Sequence, residues 1–192
     1  MINIRCQDAF GFLATIDSGS VDLILTDPPY ETLNKWQGIG TTARMGLGKA
    51  GSKSHDPTKF FPTIQNAELP KLLSEFHRIA KPNTHVYVMC DGATLPYILN
   101  IVGYGTPHGI LVPFSNAKVL VWDKVNMGMG YHYRSRYEFI VMLDRGKNRR
   151  LTSLAVPDIL RFKNDGNLVP TQKPLALFEL LISQSSNEGE LV

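Results

Sequence analysis

The run "VDLILT", residues 21–26, leaves this chain the fewest choices. It is short and reads as a nearly continuous apolar run. A strand of that kind has to be covered on both sides, which is the condition of a strand in a parallel sheet between helices. It then runs straight into Asp27, Pro28, Pro29 and Tyr30. A buried strand that ends on an acid, two prolines and an aromatic ring needs a reason.

The rest of the chain reads as alternating elements. Residues 2–6 predict a short strand and "DAFGFLATI" a short helix. In "AELPKLLSEFHRIAKPN", Leu69, Leu72, Leu73, Phe76, Ile79 and Ala80 recur at helical spacing, and Pro82 and Asn83 stop the pattern. "THVYVMCD" (84–91) predicts a strand, and "ATLPYILNIVG" a helix ending on Gly103 with Pro96 in its first turn. "GILVPF", "AKVLVWDK" and "RYEFIVMLDRG" are strand-like, with little helix between them. "KPLALFELLISQSS" predicts a last helix with Pro174 in its first turn and Leu177, Phe178, Leu181 and Ile182 as its apolar stripe. "GELV" (189–192) reads as a new strand beginning. Strands and helices alternating in this way predict an α/β doubly wound sheet, whose ligands sit at the carboxyl ends of the strands. Asp27 to Tyr30 occupy such an end.

Length and composition fit that class. A chain of 192 residues, 43% apolar and 19% charged, is the size of one soluble domain. No apolar run approaches the roughly 18 residues of a membrane span, and the first residues do not read as a secretory signal. Cys6 and Cys90, the two cysteines, read as small core residues of a reducing compartment and not as a disulfide or metal framework. The net charge of +3 is mild, but it is concentrated. Between residues 31 and 60, Lys35, Arg44, Lys49, Lys53 and Lys59 stand against Glu31 and Asp56; in "DRGKNRR" four basic residues stand against Asp144. Basic loops on a weakly acidic body suit a polyanion, although solvated surface lysines account for the charge equally well. The polar, glycine-rich stretch 31–66 is long for a loop inside a compact domain, which marks it as functional or mobile. Its "GLGKAG" (46–51) has the letters of a phosphate-binding glycine motif but no strand ahead of it, so it is not read as one.

Two prolines remove two N–H donors and stiffen the backbone, so the Asp27 carboxylate and the neighbouring carbonyls become fixed acceptors. Tyr30 adds a flat face. Together they suit an exocyclic amine on a planar heterocycle: two acceptors take its hydrogens and a ring holds its ring. Acceptors set out of the ring plane would also pull the nitrogen lone pair out of conjugation and free it for attack. The plain alternative is a strand-end turn, where Asp and Pro are common.

The order of segments then matters. "QDAFGFLATIDSGSVDLILTDPPY", "ELPKLLSEFHRIAKPNTHVYVMCD", "VLVWDKVNMGMGYHYRSRYEFIVMLDRG" and "VPTQKPLALFELLISQSS" resemble, in family order, segments of the DNA amino-methyltransferases whose catalytic motif precedes the cofactor glycine motif. The resemblance covers nearly all of the chain outside 31–66. It implies a Rossmann-like methyltransferase fold with a mixed, mostly parallel sheet and helices on both faces. The expected unit is a single catalytic domain over residues 1–192, with 31–66 a mobile basic loop against DNA. The implied reaction is methyl transfer from S-adenosylmethionine to N6 of a flipped adenine, since the family favours Asp in the first motif position for adenine and Ser for N4 of cytosine. Asp27, Pro28, Pro29 and Tyr30 would be catalytic. Asp8, Ala9, Asp27, Thr171, Gln172 and Lys173 would line the cofactor, and no metal is implied.

Further expectations follow from that resemblance. The family's Asp-Pro-Phe-x-Gly-x-Gly belongs directly after "NEGELV", and the sequence reaches Val192 ahead of it, so the fold is expected to be incomplete at its C-terminus. Lys35, Arg44, Lys49, Lys53 and His55 are expected at phosphates, and Arg134 and Arg136 at phosphate or guanine edges, unless Arg136 pairs with a carboxylate of the fold. Double-stranded DNA is the expected partner, in a prokaryotic or phage restriction-modification setting in the cytoplasm; no membrane is expected, and a homodimer is the assembly to test. The competing readings are an N4-cytosine enzyme, a related methyltransferase acting on RNA or a protein glutamine, and a DNA-binding remnant or subunit without the cofactor half.

Overall fold

The computed structural model describes residues 2–36, 62–104, 111–128, 132–163 and 172–192. Five strands form one sheet: β1 (Val21–Thr26), β2 (Ala80–Cys90), β3 (Asn116–Asp123), β4 (Tyr137–Arg145) and β5 (Ile159–Arg161), in the order β1-β2-β4-β3-β5. β1 pairs with β2 and β3 with β5 in parallel, while β4 runs antiparallel to both β2 and β3. Four strands therefore point one way and β4 alone points the other. Their carboxyl ends share one edge of the sheet, and β4 begins at that edge.

Side chains alternate across the sheet and meet different helices. On one face, Val86, Val88 and Cys90 of β2 and Val141 and Leu143 of β4 are buried against three helices. These are α1 (Ala9–Leu13), α2 (Leu69–Ile79) and α3 (Leu95–Ile101), which contribute Leu13, Leu72, Leu73, Phe76, Ile98 and Ile101. On the other face, Leu23, Tyr87, Met89, Trp122, Ile140 and Leu160 pack with Leu177 and Leu181 of α4 (Leu175–Ser185). Covered on both faces, β1 is mostly apolar, and its one acid, Asp22, is buried only because its carboxylate is paired.

Helix ends follow local chemistry. Asp8 caps α1, its Oδ1 accepting from the Gly11 N–H at 2.9 Å. Gln65 and Glu68 form a capping box ahead of α2, and the prolines at 70 and 96 sit in first turns, where no intrahelical N–H is lost. Among the described residues no helix is long and apolar enough to cross a membrane.

Three local expectations change, and the first of them carries Cys6, expected in the core, out to solvent. Residues 2–6 form no strand: Ile2 and Ile4 stand 89% and 88% exposed, and with no neighbouring strand to pair with, β-prone residues alone do not make one. The described part of "GILVPF", residues 111–114, is a turn in which the Leu111 and Val112 N–H groups donate to the Ile101 carbonyl, dropping Val112 and Phe114 into the core. "GELV" does not enter the sheet, yet it reaches it. The Leu191 carbonyl accepts from the N–H groups of Asp22 and Leu23, and the Asp22 carboxylate accepts from Leu191 N–H at 3.0 Å. Lys81 holds the same carboxylate through both oxygens at 2.8 Å. The unforeseen β5 lies in "KNRRLTSLAVPDILRF", too short for any period to show.

Leu177 is the fully buried anchor of α4. Leu177→Ala should lower unfolding free energy by about 2–5 kcal/mol, seen as a lower urea midpoint at unchanged slope; a loss well below that range would show that α4 is held chiefly elsewhere.

Candidate active site

At the end of β1 the chain turns through Asp27, Pro28, Pro29 and Tyr30 onto the carboxyl edge of the sheet. With no N–H at either proline, the backbone offers acceptors, and its surroundings use them. The Pro29 carbonyl takes the Ile64 N–H at 2.7 Å, the Tyr30 carbonyl takes Leu33 N–H at 3.0 Å, and Tyr30 and Ile64 form a parallel bridge. The turn continues into a 3₁₀ helix, Glu31–Trp36. Glu31 accepts from Asn66 N–H at 3.1 Å, and the Thr32 hydroxyl donates to Asp91, which also caps α3 through Thr94 N–H at 2.8 Å. Residues 30–33 and 64–66 are thereby fastened together beside the tetrapeptide.

Four charges of alternating sign cross the same edge. Lys173 Nζ lies 2.7 Å from Asp27 Oδ2 and 3.5 Å from Glu138 Oε2, an ionic contact without a hydrogen bond's geometry. Lys124 Nζ lies 2.6 Å from Glu138 Oε1. Both ammonium groups face the Trp122 ring, Lys124 at 5.5 Å and Lys173 at 5.9 Å from its centre. The sheet explains the meeting: Trp122 and Glu138 are register partners across β3 and β4, on the face that α4 covers. Lys173 enters just ahead of α4. Its side chain is 11% exposed and that of Glu138 15%. An unpaired ammonium buried so far costs several kcal/mol, so Lys173 depends on having carboxylates on two sides.

The electrostatics follow from that burial. Desolvation raises the Asp27 pKa above the usual carboxylate value; Lys173 pulls it back and Glu138 pushes it up again, leaving it raised. Burial alone would lower the Lys173 pKa, but Glu138 and Asp27 together outweigh it, so the ammonium is held more firmly than usual. Burial, then Glu138 and Asp27, drive the Tyr30 phenol well up, so it stays protonated and offers a ring and a hydroxyl, not a base. The Cys90 thiol is pushed up to about 12, by burial first and then by Asp91, Glu138 and Asp27, which rules it out as a nucleophile at neutral pH.

The other anticipated residues fall in several places. Asp8 and Ala9 are exposed at the start of α1 and do not join the chain of charges. Gln172 is half-buried next to Lys173. Thr171, Arg44, Lys49, Lys53 and His55 lie outside the described residues, as does the side chain of Lys35, whose backbone belongs to the 3₁₀ helix. Arg134 is exposed, its Nε donating to the Gly128 carbonyl at 2.9 Å. Arg136 takes the carboxylate alternative: two hydrogen bonds, 2.6 and 2.7 Å, commit its guanidinium to Asp123, whose pKa that pairing lowers to about 2. Glu138, Lys124 and Asp91 were not anticipated as site residues. The signal for Glu138 was present as an acid two places before Ile140, on a strand face otherwise apolar, and for Asp91 as the acid closing "VYVMCD".

A mixed sheet flanked by helices, with charged side chains gathered at the edge where four of the five strands end, is the fold that this chain shares with solved DNA methylases. The chain superposes on the crystal structure of the M1.HpyAVI–SAM complex with a TM-score of 0.60 at 20% identity, covering 99% of this chain and 80% of that one. In sequence it is 26% identical over 212 residues to the Type II methyltransferase M.HpaI of Haemophilus parainfluenzae, which covers 97% of this chain and 60% of the relative. It is 25% identical over 185 residues to the Type II methyltransferase M.HhaII of Haemophilus parahaemolyticus, covering 92% of this chain and 73% of the relative. No protein-family model matches the sequence. The resemblance to DNA methyltransferases read from the motifs thus holds along nearly the whole chain, which spans three fifths of the length of M.HpaI.

If Lys173 restrains the Asp27 carboxyl, Lys173→Met should raise its pKa further, because the group that favours the carboxylate is gone while burial and Glu138 remain. Carboxyl carbon NMR titration of the unliganded protein reads this directly, and an unchanged or lower midpoint would show that the pair is not formed in solution.

Proposed function

We propose that this chain is the catalytic domain of a DNA methyltransferase that transfers a methyl group to the exocyclic N6 of adenine in double-stranded DNA. One observation carries the reading: a half-buried Asp27 carboxylate held at 2.7 Å by Lys173 on a proline-stiffened turn at the carboxyl edge of the sheet, with Tyr30 three residues on. The names of the relatives and the SAM complex of the structural neighbour support it.

The donor set suits S-adenosylmethionine, which carries an amine, a carboxylate and a sulfonium: acidic Asp27 and cationic Lys173 lie within 2.7 Å of one another. Asp8, Ala9, Asp27, Thr171, Gln172 and Lys173 would hold it. When bound, the cofactor supplies an electrophilic methyl group on a sulfonium. The chain's own contribution is to position the amine and accept from it. The adenine would be turned out of the duplex, at an unstacking cost of about a few kcal/mol. Asp27 and the Pro28 carbonyl would accept the two hydrogens of its amino group, and the Tyr30 ring would stack on the base. The nitrogen lone pair, drawn out of conjugation, would be presented to the methyl group, whose bond to sulfur breaks with its electrons left on sulfur. The fixed acceptors would stabilise the positive charge on nitrogen until one N–H proton is lost through Asp27 to solvent. Asp27 has to be ionised for this. Because its pKa is raised, activity is lost as pH falls through a midpoint above the ordinary carboxylate value. The choice of adenine over cytosine rests on Asp27 standing first in the motif. Lys35, Arg44, Lys49, Lys53 and Arg134 would meet phosphates, whereas Arg136 braces Asp123 where β3 leads to β4.

Methyl transfer from labelled S-adenosylmethionine to unmethylated duplex DNA, followed by digestion to nucleosides, should yield N6-methyladenine; N4-methylcytosine would overturn the base assignment, and DNA binding without transfer would favour the binding-only reading. Asp27→Ala should cut the rate by on the order of 10²–10³-fold or more while leaving the melting transition in place. Tyr30→Phe should keep most of the base affinity and Tyr30→Ala should lose about 1–3 kcal/mol of it, measured with a duplex carrying a mismatched target. Arg134→Ala should reduce the salt dependence of DNA binding by about one phosphate's worth of slope; an unchanged slope would remove Arg134 from the interface.

A further inference from the structure

Glu138 is a half-buried acid on a face of β4 whose next inward residue, Ile140, is fully buried. One of its oxygens is held by Lys124 at 2.6 Å and the other faces Lys173 at 3.5 Å. Lys173 in turn touches Asp27 at 2.7 Å. We infer that Glu138 is a positioning residue that shares Lys173 with Asp27, so that the carboxylate meant for the substrate amine is gripped by part of one ammonium charge and not by all of it.

A charge-assisted hydrogen bond is roughly twice as strong as a neutral one. If Lys173 belonged to Asp27 alone, an incoming neutral amine would compete with a full ion pair for the same carboxylate. Glu138 draws on that ammonium from the other side, and Lys124 keeps Glu138 from closing on it completely. Among the described residues, the groups around Asp27 and its neighbours enter this balance. Tyr30 from its own turn and Cys90 from the end of β2 stay neutral, because burial holds both protons on. Asp91 beyond β2, Lys124 beyond β3, Glu138 of β4 and Lys173 ahead of α4 carry the charge.

The signs separate this role from a structural one. Removing the Glu138 charge gives Lys173 wholly to Asp27 and also deletes a nearby negative charge, and both make Asp27 a weaker base. Removing the Lys124 charge releases Glu138 towards Lys173 and deletes a positive charge, and both make Asp27 a stronger base. A residue that merely filled space would move the two variants alike or not at all.

The inference rests on the proposed methyl transfer only for its catalytic consequence, so the test begins without cofactor. Carboxyl carbon NMR titrations of Asp27 in the unliganded chain should show its midpoint falling in Glu138→Gln and rising in Lys124→Met, each by roughly half a pH unit or more. A midpoint that is unchanged or higher in Glu138→Gln overturns the inference. Should that variant not fold, Lys124→Met decides: a rise supports the sharing, and no change or a fall overturns it. With DNA and S-adenosylmethionine, the acid limb of the methyl-transfer rate should move with these midpoints. If the unaltered chain transfers no methyl group, the proposed function fails while the titrations still decide this point; if it transfers and the limb stays put in Glu138→Gln, the function stands and the sharing falls.

Discussion

The ion pair between Lys173 and Asp27 joins the start and the end of the fold across the carboxyl edge of the sheet. Asp27 ends the first strand of the sheet, and Lys173 arrives just before the last helix. Between them lies the rest of the fold: β2 beside β1, β4 reversed against β2, and β3 bringing Trp122 under both ammonium groups. A pair this far out of water is worth keeping only when its geometry is good and its remaining valences are met. Here the second acid, Glu138, meets them, and it can do so because β4 starts at the edge where the other strands finish.

That reversal of β4 matters for chemistry as well as for topology. In a wholly parallel sheet, each strand presents its last residues to the carboxyl edge. A reversed strand presents its first, so Tyr137 and Glu138 reach the site directly from the connection after β3. The same connection carries Arg134 at its surface and Arg136 clamped on Asp123. One short segment thus faces solvent with one arginine and steadies β3 with the other.

Much of this was legible in the sequence, for physical reasons that differ by element. The strand β1 showed itself as a short, mostly apolar run of the kind a strand covered twice requires, and α2 and α4 because their apolar residues recur at helical spacing with prolines at their starts. Asp27 stood out because two prolines after an acid spend backbone donors that an ordinary turn would keep. The chain of charges was harder to see, because Lys124, Glu138 and Lys173 come from three elements and only strand pairing and helix docking bring them together. β5 was hidden by its length of three residues. Residues 2–6 misled in the opposite sense, since their alternation had β character but no partner strand.

The bridge between Tyr30 and Ile64 has a consequence of leverage. Ile64 pairs beside Tyr30 and donates its N–H to the carbonyl of Pro29 itself. A displacement of Ile64 therefore reaches the peptide between Pro29 and Tyr30 as directly as it reaches the core that Ile64 packs against, so the packing beside α2 and the setting of the Tyr30 turn are tied through one residue.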